Sequence, residues 1–581
     1  MTNNEKTQPR NTKSLKHKLA GLLRGIFSPS SMMLVMPLAL LVPNIALCFT
    51  EFNSVWAKLC NVALPLGVYL LLMSLSRKVG RSILWFIPLM VFCAFQIVLL
   101  YLYGESIIAV DMFLNVATTN FGEATELLGN LKIAIATVLI VYLPCIIRGI
   151  VLTVKHKRAS ERSVRITRRL GLGSLAAGLA FLACAYIFAP GYRISRELFP
   201  YNILDNLVTA VQRGVESSHY SDTSRNFSYR ARSEHPADST EVYVVVIGET
   251  SRADNWQLFG YERETNPRLS RRRGLIAMPR TLSEINTTHK SVPMLMSYLH
   301  SENFGDSVAH TRSVFEAFNT AGYSTVFISN QRRNGSYIDF YGEEAARHIF
   351  LTDNGPMRPD LDMIAELNKA IAEAKTKKVF IVLHTYGSHF EYRKRYPADM
   401  AHFRPEKNTE ASFMNRPQLI NAYDNTIRYT DLMLDSVITN LERLGAPAAM
   451  LYVSDHGEDI FDDARGRFLH ASPVATYWQL HVPFVIWTSE AYRREYPGVV
   501  KAMEQNAAKN VSSSRTLFHT LMDISGLRTP YYEPSSSLAS PAYCEPARRY
   551  LNDYNESVPL DRSGLRPSDL DQLRHHGLSA Q

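Results

Sequence analysis

The sequence predicts an α/β protein in two parts. The first is an N-terminal five-helix transmembrane domain, and the second an outer domain with a mainly parallel sheet sandwiched by helices. Three observations predict it. Five long apolar stretches lie between Met32 and Gly191. Beyond residue 238, short β-branched runs alternate with amphipathic helical patterns. Two of those runs close on the polar strings Val246-Ile247-Gly248-Glu249-Thr250 and Val453-Ser454-Asp455-His456-Gly457, beyond the carboxyl ends of strands, where an open parallel sheet gathers its ligands.

The apolar stretches cover 32–50, 59–75, 83–103, 133–152 and 171–190, each near the length needed to cross a bilayer. Their flanks follow the positive-inside pattern. Lys6, Arg10, Lys13, Lys16, Lys18 and Arg24 precede the first span, Arg77, Lys78 and Arg81 join the second to the third, and seven basic residues from Lys155 to Arg169 join the fourth to the fifth. The connections 51–58 and 104–131 hold only Lys58. Segment 1–31 is therefore expected in the cytoplasm, the span domain at 32–191, and everything after Tyr192 outside. The first apolar run follows a long charged stretch and lacks a small-residue cleavage site, so it is expected to stay as an anchor.

The same segments explain a net charge of +9, because they hold 16 basic residues against Glu5 and Glu161 and leave about −5 for the rest. A nucleic-acid function needs a basic outer domain, and this chain has none. Five of six cysteines, Cys48, Cys60, Cys93, Cys145 and Cys184, sit in or beside the spans. Cys544 is alone outside, so no disulfide is expected within the outer domain, whose size allows a stable core without one.

The outer connection 104–131 has apolar residues at helical spacing and is expected to form amphipathic helices at the interface. They serve as struts between spans or, through Asn115 and Glu123, about two turns apart, help hold a polar headgroup. Residues 192–237 read as a linker with a bridging helix near 202–214, and 238–581 as the catalytic domain. Strands are expected near 241–247, 324–328, 378–384, 448–453 and 482–487, and helices near 310–321, 361–375, 418–444 and 513–525. The tail after Pro530 is expected to be irregular.

Carboxylate and imidazole together bind a borderline cation such as zinc. Besides Glu249, Asp455 and His456, the histidines His384, His389, His470 and His481 follow or adjoin predicted strands. Between the two opening strings lies Asn286-Thr287-Thr288-His289-Lys290-Ser291-Val292-Pro293-Met294, which opens an apolar helical run. A hydroxyl there is either an ordinary N-cap or a nucleophile held by zinc.

Taken in order, the strings Val246 to Asp254, Gly260 to Pro267, Thr288 to Met294, His384 to His389, Asn421 to Asn425, Ser454 to Glu458 and Leu469-His470 are similar to one family. The chain resembles the membrane-bound phosphoethanolamine transferases of Gram-negative bacteria, within the alkaline phosphatase and sulfatase superfamily. The resemblance implies an alkaline-phosphatase-like outer domain and a catalytic Zn2+ on Glu249, Thr288, Asp455 and His456, with Thr288 as nucleophile and Thr287 its rival. It implies that His389 and His470 hold a second zinc or the substrate phosphate, that Asn330 or Gln331 lies near the ethanolamine, and that Asn115 and Glu123 contribute from the membrane side. Lipid A-modifying members carry cysteine pairs that this chain lacks, one of them flanking the nucleophile loop, where Glu284 or Ile285 and Met294 stand here. The resemblance thus leans to the disulfide-free branch acting on the lipopolysaccharide core. His289 and Lys290, where relatives often have a small residue after the nucleophile, either reach the phosphate or are exposed.

The implied reaction moves phosphoethanolamine from phosphatidylethanolamine to lipid A or core lipopolysaccharide at the outer face of the bacterial inner membrane. Three rivals stand beside it. A sulfatase would want Arg where Leu295 stands, a phosphoglycerol transferase shares the chemistry, and a non-catalytic membrane sensor would be expected to lack a ligand or the nucleophile, whereas all are present.

Overall fold

The computed structural model describes residues 25–50, 54–104, 106–118, 129, 131–353, 355–408 and 410–581. The chain divides into two compact units, Met1–Ile108 with Leu131–Asn206, and Ala109–Asn130 with Leu207–Gln581. Among the described residues, 109–118 and 129 group with the sheet unit.

The first unit is helical: α1 (Met32–Leu40), α2 (Val42–Thr50), α3 (Val55–Met73), α4 (Val79–Trp85), α5 (Ile87–Tyr103), α7 (Lys132–Val154) and α8 (Glu161–Phe188). Among the described residues, four stretches are long and apolar enough to cross a membrane: Met32–Thr50, Val55–Met73, Lys132–Val154 and Glu161–Phe188. The pair α4 and α5, bent by 51°, makes a fifth if it counts as one span. A polar knot ties this unit together. Asn44 Nδ2 donates to Asn61 O at 2.8 Å and to Phe199 O at 2.8 Å, while Phe199 N donates to Asn61 Oδ1 at 3.1 Å. Amides buried among apolar helices must find such partners, which fixes how those helices meet.

The second unit is built on a seven-stranded sheet. Its strands are β1 (Glu241–Gly248), β2 (Leu275–Ala277), β3 (Ser324–Ser329), β4 (Arg347–Phe350), β5 (Lys378–His384), β6 (Ala448–Ser454) and β7 (Phe484–Thr488), in the order β2-β7-β6-β1-β5-β3-β4. Strands β6, β1, β5, β3 and β4 run parallel, and β7 is antiparallel to both its neighbours. Every residue of β1, β5 and β6 is buried, as expected for Val- and Ile-rich strands covered on both faces.

On one face Tyr243, Val245, Ile247 and Phe380 pack against α10 (Thr288–Leu295), α11 (Val314–Thr320) and α14 (Ser513–Ile524), with the Phe318 and Phe380 rings stacked at 3.8 Å. Helices α12 (Met363–Ala372) and α13 (Arg416–Arg443) pack on the other face. At roughly 1.5–3 kcal/mol for each fully buried large apolar side chain, these layers hold the sheet centre firmly in place. Helices α6 (Val110–Thr118) and α9 (Tyr201–Ser218) complete the labelled set.

Candidate metal centre and nucleophile

Strand register dictates where the site lies. β1 sits between β5 and β6, with Ile247 opposite His384 and Gly248 opposite Ser454. Glu249, Thr385 and Asp455 therefore leave the sheet side by side, at the carboxyl edge. Thr250 then turns the chain sharply at φ +61°, a left-handed conformation that β-branched residues avoid. Its surroundings hold it there. Thr250 N donates to Asp455 Oδ1 at 3.0 Å, its hydroxyl to Glu249 Oε1 at 2.7 Å, and its carbonyl accepts from the Tyr423 hydroxyl at 2.7 Å.

Over these carboxylates hangs the first residue of α10. The Thr288 hydroxyl lies 3.2 Å from Glu249 Oε1 and 3.0 Å from His456 Nε2. Thr287, the N-cap residue, has a buried hydroxyl with no hydrogen-bond partner among the described residues. His456 Nε2 is also 3.2 Å from Asp455 Oδ2 and 3.7 Å from Glu249 Oε1. The other ring nitrogen, Nδ1, sits 2.9 Å from Gly457 O. That carbonyl can only accept, so Nδ1 carries a proton and Nε2 is the nitrogen that faces the cluster, as a metal ligand requires.

The donor atoms of Glu249, His456 and His470 lie within 4.8 Å of one another, so His470 joins this cluster. Its ring centroid is 4.2 Å from that of His456 and 5.8 Å from that of His389. Behind it, Glu458 Oε1 lies 3.2 Å from His470 Nδ1, and Glu458 Oε2 accepts from the Tyr392 hydroxyl at 2.6 Å. Sequence reasoning gave Glu458 and Tyr392 no part, although Glu458 directly follows the Asp455-His456-Gly457 string.

The electrostatics suit a cation. Burial works against the charge on Glu249, but His456 and His389, with hydrogen bonds from Thr250 and Gln331, hold its carboxyl below the usual range. Asp455 is pushed up to about 7 by burial and by the neighbouring Glu249. Two buried carboxylates with too little positive charge between them are what a divalent ion would satisfy, and carboxylate, hydroxyl and imidazole donors fit zinc.

Other expected residues fall as follows. Gln331 Nε2 is committed to Glu249 Oε2 at 3.0 Å and Thr385 O at 2.9 Å, so it orients the carboxylate. Asn330 Nδ2 faces Arg358 O and Asp360 Oδ1 at 2.8 and 2.7 Å. His384 is fully buried, its pKa lowered to about 4 by burial against the opposing pull of Glu249, and its Nδ1 meets the Ser329 hydroxyl at 3.2 Å. His481 is not part of the cluster: Asp254 Oδ2 at 2.9 Å and Pro279 O at 3.0 Å occupy its two nitrogens. Asn115 lies half-buried on α6, and Glu123 lies outside the described residues.

Neither expectation for Lys290, exposed or reaching the phosphate, describes what is seen. Its side chain is 3% exposed and its Nζ pairs with Asp111 Oδ2 of α6 at 2.5 Å. Arg213 Nη1 and His289 Nε2 approach the other oxygen of that carboxylate, at 3.3 and 3.5 Å.

A parallel sheet with acid, hydroxyl and imidazole gathered at its carboxyl edge is the alkaline-phosphatase-like α/β class. Residues 241–527 match the Sulfatase family profile. Phosphoethanolamine transferase EptA of Escherichia coli K12 is 32% identical over 305 residues, 51% of this chain and 55% of that protein. The match thus spans little more than half the length of that curated relative. Among solved structures, the integral membrane lipooligosaccharide phosphoethanolamine transferase A (EptA) of Neisseria meningitidis superposes with a TM-score of 0.70 at 22% identity, covering 89% of this chain and 99% of that one. The C-terminal periplasmic domain of EptC from E. coli, solved as a complex with Zn, superposes with a TM-score of 0.52 at 23% identity, covering 58% and 97%. Both likenesses are of fold, and the first includes the apolar helical unit.

Proposed function

We propose that the chain transfers phosphoethanolamine from phosphatidylethanolamine to a lipopolysaccharide acceptor, lipid A or core, through a covalent intermediate on Thr288. The observation that carries this reading is the Thr288 hydroxyl set 3.2 Å from Glu249 Oε1 and 3.0 Å from His456 Nε2. The names of the E. coli and Neisseria relatives supply the transferred group and the acceptor class. Glu249, Thr288, Asp455 and His456 would hold zinc, with His389 and His470 serving a second zinc or the substrate phosphate. Zinc supplies positive charge that favours an ionised threonine oxygen and offsets charge on the phosphoryl group.

The chain's own residues do the rest. Thr288 Oγ1 attacks the donor phosphorus in line, the Oγ1–P bond forms, and the bond from phosphorus to the diacylglycerol oxygen breaks. Diacylglycerol leaves with a proton, which His389 supplies. An acceptor oxygen then attacks the same phosphorus, the Thr288–phosphorus bond breaks, and the acceptor's proton returns to the cluster. Gln331 and Thr250 keep Glu249 fixed throughout, so little reorganisation is needed.

The apolar helical unit suits lipid substrates, since holding the site at the bilayer replaces a search in volume with a local one. Its charge pattern supports a sheet domain on the periplasmic side of the inner membrane. The test is intact-mass measurement of the purified chain after incubation with phosphatidylethanolamine. A phosphoethanolamine adduct that disappears in Thr288→Ala is expected. A phosphoglycerol adduct after incubation with phosphatidylglycerol, or no adduct under turnover, defeats the reading. Mass spectra of lipopolysaccharide from cells with and without the chain then identify the acceptor.

A further inference from the structure

A small basic cavity in the apolar helical unit is used by none of this chemistry. About 180 Å3 in volume, it is lined by Lys78, Arg81, His156, Lys157 and Arg158, with Gly80, Leu152 and Thr153 completing the wall. No carboxylate lines it, and among the described residues none of these five side chains has an acidic partner.

Two contacts build the cavity from segments far apart in sequence. Gly80 in α4 abuts α7 so closely that a Cβ there would lie 2.5 Å from Thr153 Oγ1 and 2.6 Å from Gly149 O. Beside it the two connections clasp. Ala159 N donates to Arg77 O at 3.0 Å, Arg77 Nε donates to Ala159 O at 3.1 Å, and Arg77 Nη1 pairs with Glu161 at 2.8 Å. Arg77 is thus neutralised within the protein, while its neighbours Lys78 and Arg81 are left facing Lys157 and Arg158.

Orienting a span requires a number of positive charges, not their convergence on one hollow. Gathering four permanent cations without a counter-charge costs Coulomb energy that a bound anion returns. The hollow sits at the end of α7, whose last residue, Val154, follows the lining residue Thr153 and is 71% exposed. An anion bound there has apolar surface alongside, which suits an acyl chain and offers nothing to a free ion. We propose that this cavity binds the phosphodiester headgroup of an anionic phospholipid of the cytoplasmic leaflet.

Native mass spectrometry of the full chain in detergent, titrated with phosphatidylglycerol or phosphatidylcholine, tests this. Wild type should retain phosphatidylglycerol at least tenfold more strongly. Arg81→Gln with Arg158→Gln should weaken retention by about 25-fold, at roughly fivefold per basic residue near a lipid surface. Arg162→Gln with Arg169→Gln, exposed positions outside the cavity, should change it less than twofold. Lys78→Gln with Lys157→Gln should repeat the loss if the first pair perturbs folding. Equal retention of the two lipids, equal losses from cavity and non-cavity pairs, or displacement of the lipid by millimolar inorganic phosphate would each overturn the proposal.

Discussion

Replacing Asp111 with asparagine tests how helix α10, which carries Thr288, is held. Asp111 and Lys290 are 1% and 3% exposed and their charges meet at 2.5 Å. Burial opposes the Asp111 charge, but Lys290, His289 and Arg213 lower its pKa to about 2, so it is ionised at neutral pH. The neutral amide would leave the Lys290 ammonium with Asn552 O at 3.3 Å and the attraction of Asp553. Breaking a buried pair by removing one partner costs about 3–5 kcal/mol. For a unit of about 400 residues, at about 2.1 cal/mol/K of unfolding entropy per residue, that lowers the melting temperature by about 4–6 °C. Tryptophan fluorescence during heating in detergent reads it, because Trp256, Trp478 and Trp487 lie in the sheet unit. Removing both charges, as Asp111→Leu with Lys290→Met, should recover most of the loss, since an apolar pair of similar volume avoids the stranded cation. A melting temperature within 1 °C of wild type for Asp111→Asn, or a double variant less stable than the single, would refute the reasoning.

Three further outcomes are expected. Glu249→Gln and Asp455→Asn should each lower bound zinc at least tenfold by elemental analysis while circular dichroism stays unchanged; retained zinc with full activity would count against the proposed ligand set. Gly387→Ala should cut turnover at least tenfold, because Gly387 has φ +50° and a Cβ there would lie 2.7 Å from Glu249 O; an unaltered rate would show that the Glu249 loop shifts freely. Glu241 accepts hydrogen bonds from His235, Ser239 and Tyr243, which overcome its burial and lower its pKa to about 2. A depressed carboxyl stabilises the fold above its unfolded value near 4.5 and loses that stability as pH falls through about 2, so Glu241→Gln should flatten acid unfolding across this window. The contribution is on the order of 2 kcal/mol after allowance for screening, and superimposable pH–stability curves would exclude it.

What could be read from the sequence is what local pattern encodes. β1, β5 and β6 appear within a residue of expectation because buried parallel strands need unbroken β-branched runs, and the polar residue ending each run marks the site edge. The family resemblance left Thr287 as a rival to Thr288, and in the structure the Thr288 hydroxyl lies near Glu249 and His456 while the Thr287 hydroxyl has no partner among the described residues. Strands β2 and β4, with three and four residues, are too short to show alternation. The Asp111–Lys290 pair joins positions so far apart that nothing local announces it. Nor could spacing show that His481 would be taken by Asp254, or that Gln331 would brace Glu249, since both depend on which strands become neighbours.

The register that sets Ile247 opposite His384 and Gly248 opposite Ser454 has a dynamic consequence. Glu249 and Asp455 begin one residue beyond β1 and β6, two fully buried neighbouring strands, so their main chain is tied to the sheet and gains freedom only as the strand ends fray. The ligand side chains are thereby anchored to the most deeply buried strands of the sheet. On the proposed function, a lipid substrate would have to fit itself to ligands anchored in the sheet.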